Sequence, residues 1–274
     1  MKNEFIIVRG GGDLATGTIH KLWGAGFSVI VLETNYPSAI RRQVAVSEAV
    51  YEGTVTVEGL TAQKAESLEQ MNEILKAGNV PVVIDPEGKW IEELKPMAVV
   101  DAILAKKNLG TNRSMAPLTI ALGPGFVAGE DVDCVIETMR GHNLGRIIRR
   151  GTAVPNTGIP GNVGGFTKER VIHAQTGGIL YNRHQIGDYV QQNEEIAVIA
   201  GVDGEYPVRA TISGLLRGLI RDGFPVTQGF KIADIDPRKE EYDNCFTISD
   251  KARCIAGGVL EAVCGMYNII LKER

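Results

Sequence analysis

The sequence has no Cys-x-x-Cys pair, no His-x-x-x-His spacing, no long basic run and no apolar stretch near the ~20 residues that span a bilayer. Its four cysteines, Cys134, Cys245, Cys254 and Cys264, lie far apart. That spacing speaks for free thiols in a reducing compartment and against structural zinc, and no metal site is expected. No basic segment followed by an apolar stretch of signal-peptide length stands at the start. The net charge of -4 and pI of about 5.7 give no reason to expect nucleic acid or a membrane surface as partner. These absences predict a soluble cytoplasmic protein. With 274 residues, 44% of them hydrophobic, the chain can bury a core and hold two domains.

Glycine is what the chain has in excess, and the first cluster is informative. Residues 4–8 (E-F-I-I-V) form a short apolar run of the kind that reads as a buried parallel strand, followed by Arg9-Gly10-Gly11-Gly12-Asp13-Leu14-Ala15. A helical pattern starts at Leu14 and stops at Gly24-Ala25-Gly26, and a second strand, residues 28–32, ends at Glu33. Gly10-x-Gly12-x-x-Ala15 fits the dinucleotide fingerprint. Gly10 would make the tight turn, Gly12 would admit a phosphate, Ala15 would allow close packing, and Glu33 stands where a ribose-binding acid is expected. Free amides at the helix start would favour the anion. Asp13 argues against simple phosphate binding, because a carboxylate in that loop repels it.

The alternation continues, with a helix expected from Thr61 to Lys76, a strand at 80–84, a helix from Pro96 to about Asn108 and a strand at 117–122. Ligands of open α/β sheets bind beyond the carboxyl ends of the strands, so Arg9, Glu33, Asp85, Gly123 and Gly125 are expected to line one rim. Arg41 and Arg42 are either anion contacts or a solvated basic pair.

Residues 172–199 align without gaps on 208–235 at a constant offset of 36, with identities at nine of 28 positions, all but one of them glycine or apolar. Such self-similarity marks a duplicated unit. It resembles the biotinyl/lipoyl barrel, but residues 200–207 between the halves contain no lysine, so no biotin or lipoate arm is expected. Asp203-Gly204 reads as the hairpin turn. The expected fold is α/β: a Rossmann-like parallel-sheet nucleotide-binding domain (1–122), a Gly/Pro-rich connecting β region (123–170), a biotinyl/lipoyl-like all-β barrel made from the repeat (171–236) and a C-terminal helix (237–274) capped by Ser249.

Catalytic candidates are few. His142 has a side chain suited to proton transfer near neutral pH but no evident nucleophile beside it. Cys254 lies near a helix start with Lys251 and Arg253, and Cys245 lies just before it; either could be a reactive thiol or a buried apolar residue. His20, His173 and His184 make no metal-ligand spacing.

The strings V-R-G-G-G-D-L-A-T-G (8–17), S-E-A-V-Y-E-G-T-V-T-V-E-G (47–59), I-A-L-G-P-G-F-V-A-G-E-D-V (120–132), V-I-E-T-M-R-G-H-N-L-G-R (135–146) and I-S-D-K-A-R-C-I-A-G-G-V-L-E-A-V (248–263) resemble the YqeB-type family. The glycine-rich start is also similar to the Rossmann part of XdhC-type maturation factors. The resemblance implies an accessory or maturation factor for a selenium-dependent molybdenum hydroxylase, with that enzyme or its maturation proteins as partners. It carries no catalytic residue over. The leading expectation is therefore a maturation factor that binds a nucleotide-bearing ligand at the glycine loop, the ligand left open between molybdopterin dinucleotide, NAD(P) and ATP. Cys254 or Cys245 would receive selenium or sulfur. An NAD(P)-dependent oxidoreductase with His142 as proton donor and a non-catalytic scaffold are the alternatives, and a homo-oligomer is compatible with all three.

Overall fold

A computed structural model describes residues 5–272, with side chains described as far as residue 266. Glu4, placed by the sequence in the first strand, lies outside the described residues. The chain forms two units. Unit 1 holds the chain up to Pro37, Ala45–Thr157 and everything from Ile248 on; unit 2 holds Ser38–Val44 and Gly158–Thr247.

Unit 1 is built on a nine-stranded sheet. In chain order its elements are β1 (Phe5–Arg9), α1 (Asp13–Gly24), β2 (Ser28–Glu33), α2 (Ala49–Glu52), β3 (Thr54–Val57), β4 (Leu60–Ala65), α3 (Leu68–Lys76), β5 (Val80–Ile84), α4 (Lys89–Leu94), β6 (Ala98–Asp101), β7 (Leu118–Leu122), β8 (Cys134–Ile136), β9 (Ile147–Ile148) and α5 (Asp250–Lys272). The strand order is β3-β4-β5-β2-β1-β6-β7-β8-β9. The inner strands run parallel and are Val/Ile-rich because both of their faces are covered. Ile6, Val8, Val31 and Val100 pack towards α1 and α5, whereas Ile7, Ile30 and Val99 pack towards α3 and α4.

The sheet departs from the expected architecture. It is mixed, because β3 and β9 run antiparallel at its two edges. Of the crossovers between parallel neighbours, those from β6 to β7 and from β7 to β8 contain no α-helix, and α4 is only six residues long. Asn108, Gly110 and Gly123-Pro124-Gly125 interrupt every run that could have supplied one. The helix expected from Pro96 to Asn108 is instead strand β6, since Val99 and Val100 are better placed between two parallel strands than on a helix. The helix expected from Thr61 begins only at Leu68, capped by Ser67, whose Oγ accepts from the Gln70 amide at 3.2 Å. Before it, Glu58 and Gly59 both have positive φ and close a two-residue hairpin that pairs Val57 with Leu60.

Unit 2 contains β10 (Val171–His173), β11 (Gly178–Asn182), β12 (Tyr189–Val190), β13 (Glu195–Gly201), β14 (Gly204–Arg209), β15 (Gly214–Leu219), β16 (Phe224–Val226) and β17 (Lys231–Asp236). They form two four-stranded antiparallel sheets, β10-β17-β15-β12 and β14-β13-β11-β16. The 36-residue offset carries β10–β13 onto β14–β17, and it converts the first sheet order into the second. Each sheet therefore mixes strands of both copies, and neither copy can bury its apolar face alone. The expectation of a Rossmann-like domain joined to a biotinyl/lipoyl-like barrel is corrected accordingly. The chain has a mixed sheet with antiparallel edges, and the repeat builds two separate antiparallel sheets. The turn between copies also differs by one residue, with Gly201 pairing Gly204 across Val202-Asp203.

The copies have diverged at one place that the offset makes visible. In the first, the His184 ring lies 3.3 Å from Asp188 and 3.1 Å from Glu194. The equivalents in the second are Ile220, Phe224 and Phe230, with Ile220 fully buried and the two rings stacked at 5.8 Å. A polar pin and an apolar one thus hold the same two turns.

Candidate functional site

The carboxyl ends of β1, β2 and β5 carry Arg9, Glu33 and Asp85, which the sequence assigned to ligand binding, and the end of β6 adds Asp101. Arg9 is 2% exposed. Its guanidinium donates to the Thr111 hydroxyl at 2.6 Å and to the Pro86 carbonyl at 3.0 Å. Thr111 in turn donates to Asp101 at 2.6 Å, and Asp101 also accepts from the Ile103 amide at 3.1 Å. Burial pushes the Asp101 carboxyl above the usual range, against the opposing pull of Thr111, Ile103 and Arg9. Asp85 accepts from the Gly88 and Trp90 amides at 3.0 and 2.9 Å. Every one of these groups is committed to a neighbouring loop. Arg9 and Asp85 stand on the expected rim, but what they bind is the chain itself.

The glycine loop is likewise engaged. Glu33 accepts from the Gly11 amide at 2.6 Å and from the Thr34 amide at 2.8 Å, where the fingerprint expects a ribose hydroxyl as its partner. Burial raises its pKa in spite of those two bonds. A Cβ on Gly10 would stand 2.9 Å from the Ala102 carbonyl oxygen, and one on Gly11 would stand 2.9 Å from the Ser47 nitrogen. Gly123 and Gly125 are also spacers: a Cβ there would meet Thr138 at 2.6 Å and the Lys107 backbone at 2.7 Å. Ala15 is fully buried in α1.

Gly12 is the exception. Its φ of -64° and ψ of 178° suit any residue, and an added Cβ would meet nothing within 4 Å. Neither backbone nor packing requires glycine there. It is the N-cap of α1, yet no side chain caps that helix end. Ser47, fully buried beside this loop, has a hydroxyl with no hydrogen-bond partner.

Lys251, in the first turn of α5, is within electrostatic reach of Asp13 at the start of α1 and of Glu137 just after β8. The two helices pack closely enough that a Cβ on Gly17 would stand 2.7 Å from that of Ala252. Ser249 caps α5, its Oγ accepting from the Ala252 amide at 3.2 Å. Lys251 is half-buried, and burial depresses its pKa below the usual lysine range. Arg140 acts in the same direction, while Asp13, Glu137 and Asp250 act against it. Arg140 is paired with Asp250 through two bonds of 2.8 and 3.0 Å. Glu137 is fixed by the amides of Met139 at 2.7 Å and Val154 at 2.9 Å. No motif announced Lys251, because, Asp250 aside, its charged neighbours come from two distant segments, one at Asp13 and one at Glu137 and Arg140.

The remaining candidates lie apart. Arg41 donates to the Asn244 and Thr247 carbonyls and Arg42 to that of Leu219, so the basic pair ties segments of unit 2 together. Cys245 is buried in unit 2, where desolvation pushes its thiol up and away from the reactive thiolate. Cys254 is exposed on α5, its thiol 3.2 Å from the Leu144 carbonyl. His142 is exposed in the loop at 141–146. Among the described residues no group of three or more His, Cys, Asp or Glu side chains is placed to hold a metal ion, and no helix is long and apolar enough to cross a membrane.

No family model matches the chain. The uncharacterized protein YqeB of Escherichia coli (strain K12) is 50% identical over 262 residues, which cover 95% of this chain and 47% of that protein. The chain thus spans about half the length of the curated relative it matches. Among solved structures, the ectoine utilization protein EutE (DoeB) from Ruegeria pomeroyi aligns at 10% identity and a TM-score of 0.26, covering 84% of this chain and 85% of that one. An aspartoacylase family protein from Mesorhizobium loti aligns at 10% and 0.28, covering 86% of each chain. A succinylglutamate desuccinylase/aspartoacylase from Rhodobacter sphaeroides aligns at 12% and 0.30, covering 85% of each. At these scores none transfers fold or activity. Glu33, which the fingerprint assigns to a ribose hydroxyl, is spent on the Gly11 and Thr34 amides, and this corrects the expectation of a molybdenum-hydroxylase maturation factor with a nucleotide-bearing ligand at a Rossmann loop.

Proposed function

The chain belongs with the YqeB-type proteins, over a span equal to 47% of the Escherichia coli member, and within that span we propose that unit 1 binds a small organic anion between Gly12 and Lys251. The observation that carries this reading is Gly12. It is a glycine that the fold does not require, at an uncapped helix start that opens onto free space. A helix N-terminus offers amide donors and a partial positive charge to an anion. Lys251 supplies the full charge that Asp13 would otherwise offset, and the buried Ser47 hydroxyl supplies a further polar partner beside the loop. Because Glu33 takes up the Gly11 amide, the space suits a small carboxylate rather than an extended dinucleotide.

Calorimetric titration of the full chain with acetate and pyruvate tests this. Saturable binding that falls at least tenfold in Lys251→Gln and in Gly12→Val is expected. Absence of binding, or equal affinity in all three proteins, overturns it.

A further inference from the structure

We propose that β14 of unit 2 is a self-complementary edge, along which two copies of this chain pair as antiparallel strands about a two-fold axis at Pro207. β14 is the outermost strand of its sheet and runs six residues, whereas the other edges of unit 2, β10, β12 and β16, run three, two and three. A short edge offers little to another chain, and a long one is a template for it. Residues 204–207 and Arg209 are exposed, and only Val208 is buried.

The backbone is set for such pairing. Gly201 and Gly204 close the hairpin from β13. Along β14 the amide and carbonyl groups of Gly204, Tyr206 and Val208 therefore turn towards β13, and those of Glu205, Pro207 and Arg209 turn outward. Proline stands where its missing N–H takes nothing from the sheet. In a pairing centred on Pro207, Glu205 meets Arg209 of the second copy and exchanges both backbone bonds with it, and the symmetry repeats the exchange. Tyr206 meets Val208 of the second copy, and the two prolines face each other with no donor between them.

The charges have the matching signs. Asp203 and Glu205 make the turn end of β14 acidic. At the other end Arg209 donates to the Asn193 carbonyl at 3.0 Å, and both it and Arg183 stand 3.9 Å from the single carboxylate of Glu195. That end holds two cations for one anion, and the two-fold sets it against the acidic end of the second copy. Opposite charges facing each other across a ladder stabilise it, and like charges oppose it. One four-stranded sheet from each copy then joins into a continuous sheet.

Sedimentation velocity of the full chain over about a hundredfold range of concentration tests this. The expected result is a monomer–dimer equilibrium whose association constant falls at least tenfold in Glu205→Arg and in Arg209→Glu, each of which sets like charges opposite. In the double variant Glu205→Arg/Arg209→Glu opposite charges face again, and the association should return. Because that variant carries both substitutions, its recovery separates a broken pair from a misfolded chain. A wild type that stays monomeric throughout overturns the inference. So does a dimer indifferent to both single reversals, or one that the double reversal does not restore.

Discussion

One sheet edge of unit 1 carries two groups of charged residues that differ in how completely they are satisfied. Arg9, Asp85, Asp101 and Thr111 are nearly or fully buried, and their hydrogen bonds go to each other or to the loops above them. Asp13, four residues past Arg9 at the start of α1, and Lys251 in the first turn of α5 are half-buried, and no side chain caps α1 at Gly12, where the space is open. The first group has the more ligand-like composition, and the chain consumes it. The second has the more ordinary residues and lies beside a helix start that no side chain caps. Binding potential depends on how far the closed loops have already used the groups at the site.

The largest effect should come from cutting the sealed group. Arg9→Met removes the donor to Thr111 and Pro86 and leaves Asp101 without its cation. Breaking one partner of such a buried set costs about 3 kcal/mol. Urea denaturation measures it, and a loss below about 1 kcal/mol would mean that Arg9 is not what seals this edge.

Glu33→Ala is the next step down, at about 2 kcal/mol, because it strands the Gly11 and Thr34 amides. Its pH dependence has a definite sign. The folded-state pKa of Glu33 is raised, so its titration adds stability at acid pH that is lost as pH rises through that value. The gap between wild type and variant should be widest near pH 4 and narrow towards neutrality. A gap that widens with rising pH would contradict the raised pKa.

The two groups were also unequally legible in the sequence. Apolar runs of Val and Ile announced β1, β2, β5 and β7, and the fixed offset announced the duplication in unit 2. Strands β4 and β6 were read as helix because Thr61-Ala62 and Ala98-Val99-Val100 acquire their meaning only from the parallel neighbours beside them. Arg9, Glu33 and Asp85 were found because they follow apolar strands, and that rule locates the rim without saying which residues on it are already bound. Lys251 was noticed only as a neighbour of Cys254. Its surroundings are made by Asp13, Glu137 and Arg140, more than a hundred positions away, and no local pattern could reveal them. Gly258 on the same helix lies against the Gly145 carbonyl, a close approach made by a segment more than a hundred positions away; nothing in the structure accounts for Gly257.

Lys251→Met should change stability by no more than about 1 kcal/mol, since the lysine is only partly buried. The direction reverses that of Glu33. A lysine whose folded pKa is depressed costs stability while it is charged, and that cost fades as pH rises through the folded pKa towards its unfolded value of about 10.4. The variant should therefore be slightly the more stable at pH 7, with the difference closing by about pH 10. Thermal melts across that range decide it, and a difference independent of pH would place the lysine in ordinary solvent.

Gly12→Ser should give the smallest shift, and it separates the two groups most sharply. Serine suits the backbone of Gly12, meets no atom, and can accept a hydrogen bond from the first-turn amides of α1. At an N-cap that exchange is worth a few tenths of a kcal/mol in favour of serine. The same hydroxyl would compete with a bound carboxylate for those amides, so pyruvate binding should weaken as stability rises. At the sealed edge no such opposition is expected, since Arg9, Asp85, Asp101 and Thr111 already bond to one another or to the loops. A serine variant that is both more stable and equally good at binding would remove the α1 terminus from the site.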